Sequence, residues 1–346
     1  MPNVYKFAFR PIARKFVKPL VTSHGNWDIR EAIIIRLTDE IGRVSWGEIA
    51  PISWFGSETL EQALDFCRQL PEEITKEMIF SIPDDLPTCQ FGFESALEGL
   101  GTRYWGLGTG GDEGDGDNYL QLLPNSPYPM PHAPCPLSYS GLLAAGEVAL
   151  RQWTRLWEEG YRTFKWKIGV DAIAQELEIL HSLIQALPTT AKLRLDANGG
   201  LSYEEANLWL ETCDNLPGNI EFIEQPLPVG QFPEMLALSE YYSTAIALDE
   251  SVATLKQLTT AYQQGWRGIF VIKPGIVGSP SRLRQFCQQY QIDAVFSSVF
   301  ETAIGRQAAL QLAAELSHNQ RAVGFGINHF FAQEEDTWLQ RLWQDL

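Results

Sequence analysis

The feature of this sequence that most constrains its fold is a regular alternation of short apolar strands with amphipathic helices, which begins near residue 137. Eight strand-like segments recur, at 137–139, 163–168, 192–197, 222–224, 245–249, 268–272, 294–297 and 322–324. Helical patterns lie between them, at 148–159, 173–186, 203–212, 255–263, 280–290 and 304–316. Strands that alternate with helices form a parallel sheet, and eight such units close into a barrel. We therefore predict an α/β chain built on a TIM-type (β/α) barrel.

The predicted barrel, residues 137–326, is short for its class. It holds 190 residues, whereas the smallest barrels of this type contain about 200. We expect one helix to be missing or displaced, which makes this a modified barrel. An open doubly wound sheet is the alternative architecture.

The N-terminal part of the chain has a different pattern. Three strand-like runs, at 5–9, 32–37 and 42–50, are followed by helical patterns at 59–70 and 87–100. We predict that residues 1–105 form an α+β capping domain, and that the loop 106–136, rich in Gly, Asp and Pro, links it to the barrel. A final helix within 327–346 is expected to pack back on the capping domain.

The composition excludes several classes of partner. The chain has 26 Lys and Arg against 43 Asp and Glu, a net charge of −17, which disfavours nucleic acid and anionic membrane surfaces. No stretch of about 20 apolar residues is present to span a membrane. Five cysteines occur without a Cys-x-x-Cys pair, which predicts reduced thiols and a cytoplasmic protein. They are Cys67, Cys89, Cys135, Cys213 and Cys287. We expect a monomer or a small homo-oligomer.

Charged residues recur where the predicted barrel strands end. From one strand to the next, these residues are separated along the sequence by about the length of one β/α unit, so we expect them at the same level of the barrel. That level is the carboxyl end of the strands, the face where barrel enzymes hold their active sites. Side chains two residues apart share a face of a strand, so Lys165 and Lys167 point into the barrel while Trp166 faces the helices. The ring consists of Lys165, Lys167, Asp196, Glu224, Asp249 and Lys273.

The chemistry of this ring predicts a metal site. Three converging carboxylates require a cation, and hard oxygen ligands suit Mg²⁺, with Mn²⁺ as the alternative. The three lysines and a divalent ion outweigh the three carboxylates, which predicts a small anionic substrate. Lysines crowded by a metal and by each other are expected to have pKa values lowered toward roughly 7 to 8, where an amine transfers protons at neutral pH.

Five motifs carry the residues of the ring: Lys165-x-Lys167, Leu-Asp196-Ala-Asn, Ile-Glu224-Gln-Pro-Leu, Leu-Asp249-Glu-Ser and Ile-Lys273-Pro. These motifs resemble the enolase superfamily, in its muconate lactonising subgroup. The resemblance implies that Asp196, Glu224 and Asp249 are the Mg²⁺ ligands, that Lys167 transfers the proton, and that Lys273 is its partner. Lys165 would assist Lys167 electrostatically.

The resemblance extends to residues around the ring. It implies that Arg194, Asn198 and Glu250 support the metal ligands. It also implies that two loops of the capping domain, 24–28 and 52–57, close over the substrate. The expected substrate contacts are Trp27, Phe55, Ser297, Ser298 and Gly324.

Two segments indicate which activity of the subgroup applies. Trp-Gly-Glu-Ile-Ala-Pro at 46–51 and Ser-Ser-Val-Phe-Glu-Thr-Ala-Ile-Gly at 297–305 are similar to the dehydratase branch that serves menaquinone and phylloquinone synthesis. Dipeptide epimerases of the subgroup carry an Asp-x-Asp element after the last strand, where this chain has Gly324-Phe-Gly-Ile-Asn-His. The departure disfavours dipeptide epimerisation and leaves open N-acylamino acid racemisation or another racemase or cycloisomerase activity of the subgroup. A non-catalytic binding module is a third reading, which two lysines aimed from opposite sides of a metal argue against.

Overall fold

The computed structural model describes residues 4–22, 25–101, 137–317, 319, 321–326, 330–331 and 338–344 of the 346-residue chain. The predicted loop 106–136 lies outside these residues, as do Cys135 and His24. No described helix is long and apolar enough to cross a membrane. The other four cysteines are buried and free.

The capping domain is an antiparallel sheet with helices packed on one face. Its strands are β1 (Val4–Thr22), β2 (Gly25–Thr38), β3 (Val44–Ile49) and β4 (Glu73–Thr75), in the order β3-β2-β1-β4. Its helices are α1 (Leu60–Gln69), α2 (Lys76–Phe80) and α3 (Pro87–Gly101). The first two strands are much longer than the predicted runs, and the sequence pattern missed β4 and α2, which are three and five residues long.

Strand β2 is buried on both faces because its apolar residues do not alternate with polar ones. Ile33, Ile35 and Leu37 pack toward the helices of the capping domain. Ile34 faces the other way, against Leu339. This second face is covered by the last helix, α12 (Trp338–Gln344), which also contacts Trp46 through Trp343.

The larger sheet is a parallel barrel. Its seven strands are hydrogen-bonded in sequence order, and the segment 323–324 joins the two edges through bridges from Val323 to Tyr139 and from Gly324 to Ser297. Sequential order excludes the doubly wound alternative, in which strand order reverses. The strands are β5 (Ser140–Leu143), β6 (Thr163–Lys167), β7 (Lys192–Asp196), β8 (Ile220–Glu224), β9 (Ile246–Leu248), β10 (Ile269–Ile272) and β11 (Ala294–Phe296).

The barrel prediction is confirmed with three adjustments. The first strand begins at Ser140 rather than at residue 137, the eighth is reduced to two single bridges, and a helix at 232–241 was not predicted. In the described part of the chain no α-helix lies between the eighth strand and α12. The barrel helices are α4 (Ala149–Glu158), α5 (Ile173–Ala186), α6 (Tyr203–Asn215), α7 (Phe232–Tyr241), α8 (Leu255–Gln263), α9 (Pro274–Val277), α10 (Pro280–Tyr290) and α11 (Ala303–Leu316).

Two apolar layers hold the barrel together. The interior is filled by Phe222, Ala247, Ile269, Val271 and Val295. Outside, strand residues pack against the helices, and Trp166 meets Trp209 of α6 with ring centroids 6.2 Å apart. This layering leaves the carboxyl ends of the strands, which face the capping domain, free for polar groups.

Close backbone contact joins the capping sheet to α3. A Cβ atom on Gly47 would lie 2.0 Å from the carbonyl oxygen of Gly92. Only glycine permits this approach between strand β3 and the helix. The Trp-Gly-Glu motif is therefore fixed in part by packing within the capping domain.

Candidate active site

Three carboxylates lie side by side at the carboxyl ends of neighbouring barrel strands. Asp196 and Glu224, the last residues of β7 and β8, are paired in register. Asp249 follows β9 directly. Their residue exposures are 7%, 1% and 4%. Burying three carboxylates this deeply requires positive charge next to them.

The positive charge comes from two lysines of the ring. The Nζ atom of Lys165 lies 2.6 Å from Asp196 Oδ2 and 2.7 Å from Glu224 Oε1. Lys273 Nζ donates to Asp249 Oδ1. Consequently, no three His, Cys, Asp or Glu side chains in the described residues already surround one metal position. These ammonium groups compete with a divalent ion for the oxygens of the three carboxylates.

The donor set fits Mg²⁺ in its chemistry. All three groups are carboxylates, the oxygen ligands that this hard cation prefers. A fourth carboxylate, Glu250, lies next to Asp249, and its buried Oε2 atom has no hydrogen-bond partner among the described residues. The site thus contains one carboxylate more than the three predicted metal ligands, and lysine ammonium groups are the counterions of these carboxylates.

The carboxylates differ in their proton affinity. Burial and the adjacent Asp196 charge raise the pKa of Glu224 to about 8. Burial raises the pKa of Asp249 to about 6, although Lys273 opposes the change. Burial also acts to raise the pKa of Asp196, but the charges of Lys165, Lys167 and Lys273 together outweigh it and the pKa falls below its ordinary value. Glu224 therefore holds a proton at neutral pH when no metal is bound, whereas Asp249 holds one only below about pH 6.

With carboxylates as its neighbours, Lys165 has a raised pKa, and the lowering expected beside a bound metal stays a prediction. Burial lowers the pKa of this ammonium, but the charges of Asp196 and Glu224 outweigh burial and raise the pKa above its ordinary value. The prediction counted lysines and a metal as neighbours, whereas the atoms closest to Lys165 Nζ are carboxylate oxygens. Lys165 is therefore charged in this arrangement.

Lys167 is held in a different way. Its Nζ atom donates to Asn198 Oδ1 at 2.6 Å. Asn198 in turn donates from Nδ2 to Glu250 Oε1 at 3.2 Å and from its backbone N–H to Asp196 Oδ1 at 3.1 Å. Asn198 adopts a φ of 45°, a left-handed conformation that asparagine tolerates. The amide therefore connects Lys167 to the carboxylates without placing it in an ion pair.

The loop that carries Asp249 is supported by Gln225, which the sequence reasoning missed. This side chain is fully buried, and its Oε1 accepts from the backbone N–H groups of Asp249 and Ser251 at 3.0 and 3.2 Å. Its backbone φ of 38° turns the chain sharply after Glu224. The Glu-Gln-Pro motif was noted, but a positive φ at glutamine cannot be read from a sequence.

The capping domain reaches the ring through aromatic residues. The centre of the Phe55 ring lies 4.1 Å from Lys273 Nζ. Phe55 and Trp27 pack on an apolar cluster that includes Ile52 and Val299. Of the two segments predicted to be loops, residues 25–28 instead begin strand β2. Trp27 of this strand and Phe55 of the 52–57 loop meet at the Lys273 side of the site.

We expected Arg194 to support the metal ligands, and the structure corrects this expectation. Its Nε atom donates to Glu221 Oε2 at 2.6 Å, and its Nη1 atom donates to the carbonyl of Ala322 at 2.7 Å. Glu221 lies near the start of β8, whereas Glu224 ends it. Arg194 does face the barrel interior with Asp196, but its long side chain extends toward the opposite end of the barrel.

The residues expected at the last strands are engaged with the protein itself. Ser298 Oγ donates to Glu301 Oε2 at 2.8 Å and accepts from the backbone N–H of Phe300 at 3.0 Å. Ser297 Oγ donates to the carbonyl of Gly324 at 3.4 Å. These contacts fix the loop after β11 against the eighth strand, and a role in binding the substrate stays a prediction.

Comparison with family models assigns both parts of the chain. Residues 148–341 match the model described as "Enolase C-terminal domain-like", and residues 13–100 match the model described as "MenC, N-terminal domain". The two matches correspond to the barrel and to the capping domain.

Individual relatives agree with the family models. An o-succinylbenzoate synthase of Thermosynechococcus vestitus is 38% identical over 95% of both chains. The crystal structure of the o-succinylbenzoate synthase from Thermosynechococcus elongatus BP-1, complexed with Mg in the active site, matches 99% of this chain and all of its own at 37% identity, with a TM-score of 0.84. A substrate-liganded L-Ala-D/L-Glu epimerase of Bacillus subtilis matches 95% of this chain and 91% of its own, with a TM-score of 0.72. At 20% identity, this last likeness shows the fold alone.

Proposed function

Because the chain belongs to the o-succinylbenzoate synthases of the enolase superfamily, we propose that it dehydrates 2-succinyl-6-hydroxy-2,4-cyclohexadiene-1-carboxylate to 2-succinylbenzoate in the synthesis of menaquinone or phylloquinone. The observation that carries this proposal is the arrangement of Lys167 and Lys273. They stand four strands apart in the barrel, on either side of three buried carboxylates. Such an arrangement serves a proton transfer next to a substrate carboxylate.

Asp196, Glu224 and Asp249 would hold Mg²⁺. When bound there, Mg²⁺ supplies a Lewis acid that polarises the substrate carboxylate and stabilises the negative charge that develops on it. Lys165 offsets part of the carboxylate charge through its two ion pairs. Glu250 and Asn198 would keep the surrounding hydrogen bonds in place.

Lys167 would carry the proton. In its neutral form it removes the α-proton of the substrate, and the C–H electron pair moves into the carboxylate. The new ammonium then donates that proton to the hydroxyl on the same face, the C–O bond breaks, and water leaves as the ring becomes aromatic. The Lys167 to Asn198 hydrogen bond of 2.6 Å supports this role because it orients the amine without an ion pair, which would hold the lysine in its ammonium form.

Lys273 would remain an ammonium on the other side of the substrate. Its contacts with Asp249 and with the face of Phe55 support the charged form. From this position it stabilises the developing charge through Coulomb attraction and a cation–π contact with the substrate ring. Its neighbour Phe55 excludes water from that side.

The direct test is conversion of this substrate by the purified chain. We expect dehydration with added Mg²⁺ and none after chelation. Lys167→Ala distinguishes an enzyme from a binding module, because an enzyme loses turnover by roughly 10² to 10⁴ or more while a binder keeps its affinity. No conversion by the wild-type protein in the presence of Mg²⁺ would refute the proposal.

The opposed lysines also support a second candidate, the racemisation of N-acylamino acids. That reaction needs one lysine to remove the α-proton and another to return one from the other face. It is tested by exchange of the Cα proton of an N-succinyl amino acid in D₂O. Exchange without dehydration would make racemisation the main activity.

The remaining expectations form part of the same proposal. We expect the enzyme to act in the cytoplasm, as a monomer or small homo-oligomer, on a small anionic substrate and without nucleic acid. The four described cysteines, all buried and free, support a reducing compartment.

A further inference from the structure

Two fully buried charges of the capping domain face the barrel. Arg30 of β2 and Glu48 of β3 have residue exposures of 2% and 1%. Both reach the segment 299–305, which follows β11 and begins α11. Buried ionised groups are costly unless they are fully hydrogen-bonded, so the partners of these two side chains indicate what they hold.

Arg30 holds two backbone segments at once. Its Nε atom donates to the carbonyl of Val299 at 3.0 Å, and its Nη1 atom donates to the carbonyl of Pro51 at 2.8 Å. Its Nη2 atom donates to the carbonyl of Ala50. Burial lowers the pKa of Arg30 to about 10, against the opposing charge of Glu48, so the guanidinium stays charged at neutral pH. One side chain thus ties the start of the 52–57 loop to the loop after β11.

Glu48 holds the beginning of α11. It accepts from the backbone N–H of Thr302 at 3.0 Å, from the Thr302 hydroxyl, and from the backbone N–H of Gly305 at 3.0 Å. A Cβ atom on Gly305 would lie 2.8 Å from Glu48 Oε2. The Glu48 carboxylate therefore occupies space that is open only because residue 305 is glycine. It also lies at the N-terminus of α11, where free backbone N–H groups favour a negative charge.

The segments that these two residues hold form one wall of the site. Val299 packs in the same cluster as Ile52 and Phe55, and the Phe55 ring covers Lys273 Nζ. Next to Val299, Phe300 has a φ of 62°. A non-glycine residue keeps such a conformation only where its surroundings impose it, which indicates that this loop is held rather than free.

We infer that Arg30 and Glu48 are positioning residues of the reaction: they fix the 52–57 loop and the loop after β11 against each other, and so set the wall that closes over the substrate beside Lys273. The inference rests on the proposed function, because it takes Lys273 as part of the site. It assigns a role in catalysis to two side chains that touch neither the metal ligands nor the lysines through any described hydrogen bond.

Steady-state kinetics of Arg30→Lys provide the test. Lysine keeps the charge but cannot reach Val299, Ala50 and Pro51 together. We expect kcat/KM to fall by about 10- to 100-fold, mainly through a higher KM, since misplacement of about 1 Å has effects of this size. The Kd of Mg²⁺, measured by calorimetry, should stay within about twofold, because β7 to β9 carry its ligands.

Arg284→Lys is the matched control. Arg284 also joins the two domains, through Glu98 of α3 and Glu315 of α11, but outside the site. We expect it to lower the melting temperature without changing kcat/KM of the folded enzyme. If Arg30→Lys, compared at a temperature where both variants are folded, behaves like Arg284→Lys, Arg30 only joins the domains and the inference is overturned.

Glu48→Gln provides a second, independent variant. It keeps the shape of the side chain but replaces one accepting oxygen with a donor, and the expected result is again a higher KM with unchanged Mg²⁺ affinity. Unchanged kinetics in Glu48→Gln would overturn the role of Glu48, and would decide the inference if Arg30→Lys does not fold. Inactivity of the wild-type protein would instead refute the proposed function itself.

Discussion

The ammonium nitrogen of Lys273 lies 4.1 Å from the centre of the Phe55 ring. This contact links the two parts of the chain, since Lys273 follows β10 of the barrel and Phe55 belongs to a loop of the capping domain. The same ammonium donates to Asp249. A residue of the capping domain therefore helps to determine the environment of a charged group at the centre of the barrel.

Replacing Phe55 by leucine should lower kcat/KM. A cation–π contact with a partly desolvated lysine is worth about 0.5 to 2 kcal/mol, which corresponds to a loss of roughly 2- to 30-fold. Phe80→Leu is the control, because Phe80 faces Lys76 at 5.6 Å on the exposed surface of the capping domain. Equal effects of the two substitutions would show that the Phe55 contact has no part in the reaction.

Lys167→Arg should abolish dehydration while Mg²⁺ binding persists. A guanidinium stays protonated at neutral pH, so it cannot remove the α-proton although it keeps the positive charge. The measurements are product formation and calorimetric Mg²⁺ affinity, with Lys192→Arg on the exposed start of β7 as the control. Near wild-type turnover in Lys167→Arg would assign the proton transfer to another group.

The apparent affinity for Mg²⁺ should rise with pH between about 6 and 9. The metal-free protein has pKa values of about 8 for Glu224 and about 6 for Asp249, and a ligand must lose its proton before it binds the metal. Binding at pH 7 should therefore release protons, which titrations in two buffers of different ionisation enthalpy detect. An affinity independent of pH would contradict the raised pKa of Glu224.

The metal-free protein should become less stable as pH rises from about 5 to 8. Because the folded-state pKa values of Glu224 and Asp249 exceed their unfolded values, the folded state binds more protons in this range and loses that advantage as they dissociate. Thermal melting should show a falling midpoint, and the stabilisation by Mg²⁺ should grow over the same range. A midpoint that rises between pH 5 and 8 would reverse the predicted sign.

Arg194→Met should destabilise the fold and leave Mg²⁺ affinity unchanged. It removes a partner of the buried Glu221, and breaking a buried ion pair costs about 3 to 5 kcal/mol. Arg155→Met is the comparison, because the Arg155 side chain is 83% exposed in its pair with Glu159 and should contribute less than about 1 kcal/mol. A loss of Mg²⁺ affinity in folded Arg194→Met would restore the role first predicted for it.

The arrangement of the carboxylates follows from patterns that are local in the sequence. Asp196 and Glu224 each end an apolar strand, and parallel strands joined by similar helices bring their ends to one level. The same reasoning places Lys165 and Lys167 on one face. The barrel and the ring were predictable for this reason, whereas short elements such as α2, with five residues, give too little periodicity to be detected.

The order of apolar and charged residues along the chain fixes which residues end the strands and therefore which charges meet at the mouth of the barrel. The partner of each long side chain, in contrast, depends on how the folded chain packs. Arg194 selects Glu221 and Ala322 rather than the metal ligands, and Arg30 reaches Val299 across 269 residues of chain. Strand periodicity fixes the face of the sheet on which a side chain lies. A long side chain with several rotatable bonds can still extend toward either end of the strands on that face. The choice is made by the buried hydrogen-bond acceptors that folding brings within reach.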